Sequence, residues 1–446
     1  MKTGVETESL GPIQSLGPIQ LVPGVSRRHV YVKLFVAFVS IVMLSGVPLL
    51  NGYLLTEHLD LPRSQQGTVT GDLSFWVEVV AICLFYPFGM LSDRIGRRPV
   101  ITFGLAVMGV SYCLMPFATT VGELLAARLV YAIGMASTAG VLATLSNDYP
   151  QEQSRGKLIA VSSMANILGA AFIQVVIARI PSVLIDRGYD AVFSGKVMFM
   201  TAAALCLLTA VLASFGLKAG TPVVSRDRAG FRTLIISGLR GAKNPRIALG
   251  YACAFAARGD LVIKAAFLTI WAIQDGLTRD ISPAQSMARF GIMLAIMSVT
   301  SFVSAPVFGW MIDRINRVSS VIIALVFASV GYLSMYAVTS PLDFSMLPFF
   351  LVISLGSSFL MKASLSLVGQ EAPVRERGSV MGMNSIMGAL GILIFSVVGG
   401  RLFDQVAQWA PFVFAGVYQT ALLVVAIIIR LVAPGRNLTV GKASAG

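Results

Sequence analysis

Charge is scarce in this sequence of 446 residues: Lys, Arg, Asp and Glu make up 12% of it, against 56% hydrophobic residues and a mean hydropathy of +0.80. That is too little charge for the surface of a soluble chain of this length, so the implied solvent is largely lipid. Segments of about 10 residues that alternate apolar and polar are also missing, which argues against an outer-membrane barrel. Histidine occurs only as His29 and His58, and the four cysteines, Cys83, Cys113, Cys206 and Cys253, each fall inside an apolar run. No spacing among them suits a metal, and thiols so placed behave as small hydrophobes, so neither a metal site nor a disulfide is expected. There is no Gly-x-x-x-x-Gly-Lys-Ser/Thr loop and no soluble stretch large enough to house a catalytic centre. The chain therefore reads as neither an enzyme nor a nucleotide-driven pump, and as needing no cofactor. At the amino terminus no basic segment leads into an apolar one, so residues 1–30, with the hexapeptide Ser9–Gln14 repeated as Ser15–Gln20, read as a flexible tail and not a signal peptide.

What the sequence has is apolar runs of around 20 residues, the length a helix needs to cross roughly 30 Å of hydrocarbon. Twelve are expected, at 31–55, 72–92, 99–119, 121–146, 157–180, 192–217, 247–273, 286–311, 318–339, 345–369, 378–402 and 410–433. The predicted class is an all-α membrane protein: a six-helix unit at 31–217, a basic central loop at 218–246, a second six-helix unit at 247–433 and a tail at 434–446. Basic residues in or at the mouths of the gaps on one side outnumber those on the other by about 23 to six. The positive-inside rule then places both termini in the cytoplasm, with a bacterial inner membrane the expected location. The net charge of +13 has the same origin and is no sign of nucleic acid. Within the central loop, Phe231, Leu234, Ile235 and Leu239 have helical spacing. This fits a short helix on the inner leaflet or a mobile linker with scattered apolar residues.

Two motifs recur at one period. Gly89-Met90-Leu91-Ser92-Asp93-Arg94-Ile95-Gly96-Arg97-Arg98 follows the second run, and Gly309-Trp310-Met311-Ile312-Asp313-Arg314-Ile315-Asn316-Arg317 follows the eighth, 220 residues later. Asp148-Tyr149-Pro150 with Arg155-Gly156 follows the fourth, and Glu371-Ala372-Pro373 with Arg377-Gly378 follows the tenth. The two halves therefore read as copies of one unit. The first motif resembles the signature loop of the major facilitator superfamily, and Arg128-Leu129-Val130-Tyr131-Ala132-Ile133-Gly134 is similar to that family's second motif, with alanine for its first glycine. The resemblance spans all twelve runs. It implies two pseudo-symmetric six-helix bundles and alternating access, with the first, fourth, seventh and tenth spans lining the pathway. Gly89, Asp93, Arg94, Gly96 and Arg97, echoed by Gly309, Asp313, Arg314 and Arg317, would form a gate in which Asp93 pairs with Arg94, Arg97 or a helix amino terminus in one state only. Asn316 and Val318 replace a glycine and an arginine in the second copy. Drug–proton antiporters of the family carry Gly-Pro in the fifth span, and here Gly169-Ala170 has no proline.

An ionised side chain near the bilayer centre costs roughly 2.5–3.5 kcal/mol even on gentle scales, so each one suggests function. Six stand out: Glu78, Arg128, Arg258, Asp260, Lys264 and Lys362. Four cations against two acids favour an anionic solute. Glu78 and Arg128 are expected at similar depth and able to pair, either as a functional couple or as an ion pair that only fixes packing. Asp260 and Lys264 share a helix face from which Arg258 is turned away, so only one of the two faces can line a cavity. Ser45, Asn51, Tyr131, Asn166 and Gln174 are uncharged contacts or packing hydrogen bonds. The expected function is secondary transport of a small solute, an organic anion or metabolite, with Glu78 or Asp260 able to carry a coupling proton and the chain working as a monomer in the bilayer. The alternatives are efflux of drugs or toxic metabolites, and a non-transporting receptor or scaffold with the same fold.

Overall fold

In hydrocarbon every backbone N–H and C=O must find its partner within the chain, so each apolar run closes on itself as a helix. The computed structural model describes residues 14–220, 231–373 and 376–433. The first copy of the hexapeptide up to residue 13, Arg226, Asp227 and Arg228 of the central loop, and the tail from 434 lie outside the described residues. The helices of the first half are α1 Arg27–Tyr53, α2 Arg63–Ile95, α3 Arg97–Leu114, α4 Val121–Asp148, α5 Arg155–Val175, a short α6 Ile180–Ile185 and α7 Ala191–Gly216. After α8, Phe231–Gly241, the second half runs α9 Pro245–Val262, α10 Leu268–Leu277, α11 Pro283–Arg314, α12 Arg317–Ser334, α13 Leu347–Glu371, α14 Arg377–Gln405 and α15 Ala410–Val432. Eleven helical segments among the described residues are long and apolar enough to cross a membrane. The twelfth is α9 and α10, joined without a break by a π-helical turn at Ile263–Phe267; Arg258 and Asp260 stand in α9 and Lys264 in the turn. The chain is thus an integral membrane protein with twelve spans.

Within the first half α3 packs on α4 and α7, and α1 on α5. In the second, α12 packs on α13 and α15, and α9 on α13 and α14. Both halves carry a proline inside the second helix of the repeat, Pro87 in α2 and Pro306 in α11. The helix ends with Asp93, Asp148, Asp313 and Glu371 share one end of the molecule, called here the basic face.

The halves meet through α2 with α14, α5 with α11 and α1 with α10. Small residues make this possible: a Cβ on Gly67 would lie 2.6 Å from Asp404 Oδ1 and 2.9 Å from the Gly400 carbonyl, one on Gly71 would strike the Ser396 carbonyl, and one on Gly291 the Gln174 carbonyl. Asp404 accepts from the amides of Gly67 at 2.9 Å and Thr68 at 2.6 Å, Gln274 Nε2 donates to Arg63 O at 3.1 Å, and Arg401 pairs with Asp72 at 3.3 Å. These contacts lie near the start of α2, at the end of α14 and in α10, at the face opposite the basic one. The seam is sealed at that face, and no corresponding bond between the halves is described at the basic face.

Helix α8 docks on the second half, where Tyr251 donates to Gly238 O at 2.9 Å and the Gly238 backbone abuts Met383. Part of the expected flexible tail is folded. The second hexapeptide copy forms a two-stranded hairpin, β1 Ser15–Leu16 and β2 Ile19–Gln20, with Gly17 at φ +53° in its turn. Ile19, Leu21 and Val25 are buried, Leu21 completely. Val22 N–H donates to Tyr149 O at 3.0 Å, Gln151 N–H to Gln20 O at 2.9 Å, and Lys218 Nζ to Pro23 O at 3.2 Å. The segment straps the α4–α5 loop to the end of α7. Composition missed it because only a few apolar side chains in a polar, glycine- and proline-containing stretch do the packing.

Replacing Leu21 by Ala should remove roughly 2–5 kcal/mol of packing and speed amide hydrogen exchange at Val22 and Gln151 together. Unchanged exchange at both would mean the strap does not hold the loop.

Candidate functional site

In the first half Arg128 lies in α4, capped at its start by Thr120, whose hydroxyl accepts from the Glu123 amide. The residue is 4% exposed. Its guanidinium donates to Asn51 Oδ1 and, at 3.5 Å, to Val47 O, while its Nε has no partner. Asn51 passes the contact on, donating to Thr70 Oγ1 at 2.7 Å. Pro48 interrupts α1 and loosens the carbonyl ladder in the turn before it. Met43 O there accepts from Tyr112 at 2.6 Å and, at 3.5 Å, from Tyr131. Arg128 has no acidic partner among the described residues, so a buried cation is held by dipoles alone.

In the second half the π turn begins three residues after Asp260. Asp260 is fully buried and accepts from Gln419 Nε2 of α15 through both carboxylate oxygens, at 2.6 and 2.7 Å. Tyr332 of α12 donates to its backbone carbonyl at 3.1 Å. Lys264, half-buried, donates to Ser357 Oγ of α13 at 2.6 Å, and Lys362 donates to the neighbouring Ser358 at 2.7 Å. Arg258 is exposed. Of the two faces of the seventh span, the Asp260 face turns into its own bundle and the Arg258 face turns out of it.

The expected Glu78–Arg128 pair is not formed. Helix α2 begins at Arg63, not near residue 72, so Glu78 lies roughly 22 Å along it and Arg128 only about 10 Å along α4. Glu78 faces the seam instead. Gly67 lies on Gly400 and Gly71 on Ser396 in antiparallel register, which brings Glu78 level with residue 389 of α14. The stem of Arg258 packs beside Gly388, 2.6 Å from where a Cβ would stand. Arg258, from the opposite half, thus lies at about the level of Glu78.

At the basic face Arg97, the first residue of α3, reaches back to Asp93, donates to Ser92 Oγ at 2.7 Å and pairs with Asp148 Oδ2 at 3.3 Å. Arg94 stays exposed, so Arg97 makes the pairing for which both were candidates. Gly96 has φ +99°, a conformation open to glycine, and a Cβ there would press on Gly220 O at 3.2 Å. In the second copy Asn316 has φ −58° and caps α12, so no glycine is needed. Arg317 pairs with Asp313 at 3.2 Å and donates to Gln370 Oε1 at 3.2 Å, Arg314 lies over Trp310, and Gly309 meets only open space. Glu371, the counterpart of Asp148, pairs with Arg246 at 3.2 Å. The repeats share residues but differ in wiring.

Sequence reasoning passed over Lys33, fully buried and bonded to Ser162 Oγ, because it stands near the mouth of its span. Gln419 was missed as well. A glutamine inside a 23-residue apolar helix was the available signal.

A model of the Major Facilitator Superfamily matches residues 34–273 and 261–445. The magnetosome protein MamH of Paramagnetospirillum magneticum is 28% identical over 414 residues, covering 91% of this chain and 92% of that one. The multi-drug resistance efflux pump PmrA of Streptococcus pneumoniae is 22% identical over 365 residues, covering 81% and 85%. Among solved structures, the nucleoside transporter NupG superposes with a TM-score of 0.71 at 13% identity, over 91% of this chain and 99% of that one. An inward-facing bacterial homolog of the human lysosomal transporter Spinster gives 0.62 at 14% identity, over 91% and 96%.

Losses of stability from Glu78→Gln and Arg128→Gln should add to within roughly 0.3–0.5 kcal/mol, whereas Glu78→Gln and Arg258→Gln should couple by at least about 0.5 kcal/mol. A double-mutant cycle in thermal unfolding measures both. Coupling to Arg128 and none to Arg258 would contradict this geometry.

Proposed function

We propose that this chain, which belongs to the Major Facilitator Superfamily, carries a small organic anion across a bacterial inner membrane by alternating access. Its relatives and fold are those of transporters, not enzymes. The observation that carries the anionic reading is the asymmetry between its charged groups. Arg258 leaves its own bundle at the point where the seam ends, Arg128 is buried without an acid, and Lys264 and Lys362 rest on two adjacent serines. Asp260, by contrast, is occupied by Gln419. A carboxylate or phosphate entering between the halves meets net positive charge that no internal acid offsets in full.

With the basic face in the cytoplasm, as the excess of Lys and Arg there supports, both termini lie inside and the structure is sealed outward and open inward. Opening the other way requires the Gly71 seam to part and the basic ends to meet. Asp93 then exchanges Arg97 for a partner across the halves, which makes it one side of a breakable latch. Glu78, at the inner limit of the seam, is the carboxylate placed to carry a coupling proton. One monomer contains every residue this cycle uses.

A second reading is efflux of drugs, favoured by relatives such as PmrA. The surplus of cations and the absence of proline beside Gly169 weigh against it.

Unfolding temperatures of the purified protein, measured against organic anions, organic cations and sugars, test the choice, since a ligand of the folded state stabilises it. Anions should stabilise the wild type, and Arg258→Gln should lose more of that effect than Lys264→Gln. A neutral analogue should be affected little by either change. Stabilisation by cations alone would favour the efflux reading.

Asp93→Asn should leave the protein inserted and folded but cut flux in proteoliposomes at least tenfold. Flux at the wild-type rate in a correctly inserted variant would remove Asp93 from the gate.

A further inference from the structure

On the face opposite the basic one, a cavity of about 280 Å³ opens across the seam between the halves. The first half contributes Val175, Arg179 and Asp186, and the second contributes Gln285, Arg289 and Ile292. Neither arginine side chain takes part in an ion pair or hydrogen bond described in the structure. One arginine from each half thus lines one cavity, with Asp186 the one acid among its lining residues. Like charges on closing surfaces oppose closure unless an anion lies between them.

Beyond the cavity the exposed surface of α11 is apolar. Ile292, Val299 and Val303 lie along one face of α11, three to four residues or one heptad apart, with Arg289 one turn above Ile292 on the same face. All three are exposed, as are Leu168 and Val175 on the adjoining surface of α5. The two helices touch at Gly291 against Gln174 O, so the exposed apolar side chains on either side of that line of contact form the walls of an apolar groove inferred to run beneath the cationic mouth.

We propose that this mouth and groove bind a phospholipid, its phosphodiester between Arg179 and Arg289 and an acyl chain along Val175, Ile292, Val299 and Val303. The planar guanidinium groups suit the bidentate geometry of a phosphodiester, whose single negative charge neutralises the surplus of two arginines over Asp186. Because the arginines belong to different halves, the site is complete only while this face is closed. Bound lipid therefore favours the closed state over its counterpart. That consequence rests on the alternating-access reading; the site itself does not.

The protein is stripped of lipid in detergent and its unfolding temperature is measured with phosphatidylglycerol, with diacylglycerol of the same chains, or with inorganic phosphate. Phosphatidylglycerol should stabilise the wild type and diacylglycerol should not. Lipid retained by the native protein in mass spectrometry should fall at least tenfold in the Arg179→Gln, Arg289→Gln double variant. The Arg179→Lys, Arg289→Lys variant, which keeps the charge, should retain part of the effect and controls for misfolding. Equal stabilisation of the glutamine variant, or equal action of diacylglycerol, overturns the site. Stabilisation of the wild type by phosphate alone, lost in the glutamine variant, makes the occupant a soluble anion and overturns the lipid.

Discussion

Two bundles that share lipid as their solvent gain nothing from hydrophobic attraction to each other, so their union depends on how closely their backbones approach. Gly67, Gly71 and Gly400 supply that approach between α2 and α14, and Gly291 supplies it between α5 and α11. Much else follows from where these contacts lie. The register they impose carries Glu78 to the level of Arg258 and takes it away from Arg128, while at the basic ends of the helices no matching bond between the halves is seen among the described residues.

Each bundle solves the burial of charge in its own way. In the first half an arginine is held by an asparagine and by a carbonyl beside Pro48. In the second an aspartate is held by both reaches of one glutamine amide, and a lysine by a serine. None of these three groups forms a tight ion pair among the described residues. The ion pairs among the described residues lie at the two faces, where water lowers the penalty of separating them. The duplicated loops at the basic face show how far copies of one unit can drift: Arg97 binds Asp148, whereas the corresponding Glu371 has been taken by Arg246.

The twelve spans and the repeat were legible because apolar run length and motif period are properties of the sequence itself. The ends of the helices were not. An apolar run measures the hydrocarbon it crosses, whereas α2 continues through Arg63–Gly71, polar and glycine-rich, because α14 provides partners for that turn. The same error in the start of α2 placed Glu78 too near the surface and paired it with Arg128. The face that Arg258 occupies could not be read from spacing, which said only that it opposed Asp260. The strap at residues 14–26 was invisible because its hydrogen bonds run between backbones distant in sequence. The residues of the signature loop stood out through their motif, yet the pairing of Asp93 with Arg97 in place of Arg94 depended on Gly96, whose positive φ turns the chain so that α3 starts with Arg97 facing back.

Seen as a machine part, α2 is a lever with its fulcrum near one end. From Gly71, where it bears on Ser396, to Ile95 it extends roughly 36 Å by helical rise, so a rotation of about 10° at the fulcrum sweeps the far tip through about 6 Å. Pro87 removes one rung of the ladder within that arm and lets its last turns flex independently. A bearing made of glycine, with no side chain to repack, can turn through such an angle while the tip travels far enough to part Arg97 from a neighbour and bring another within reach.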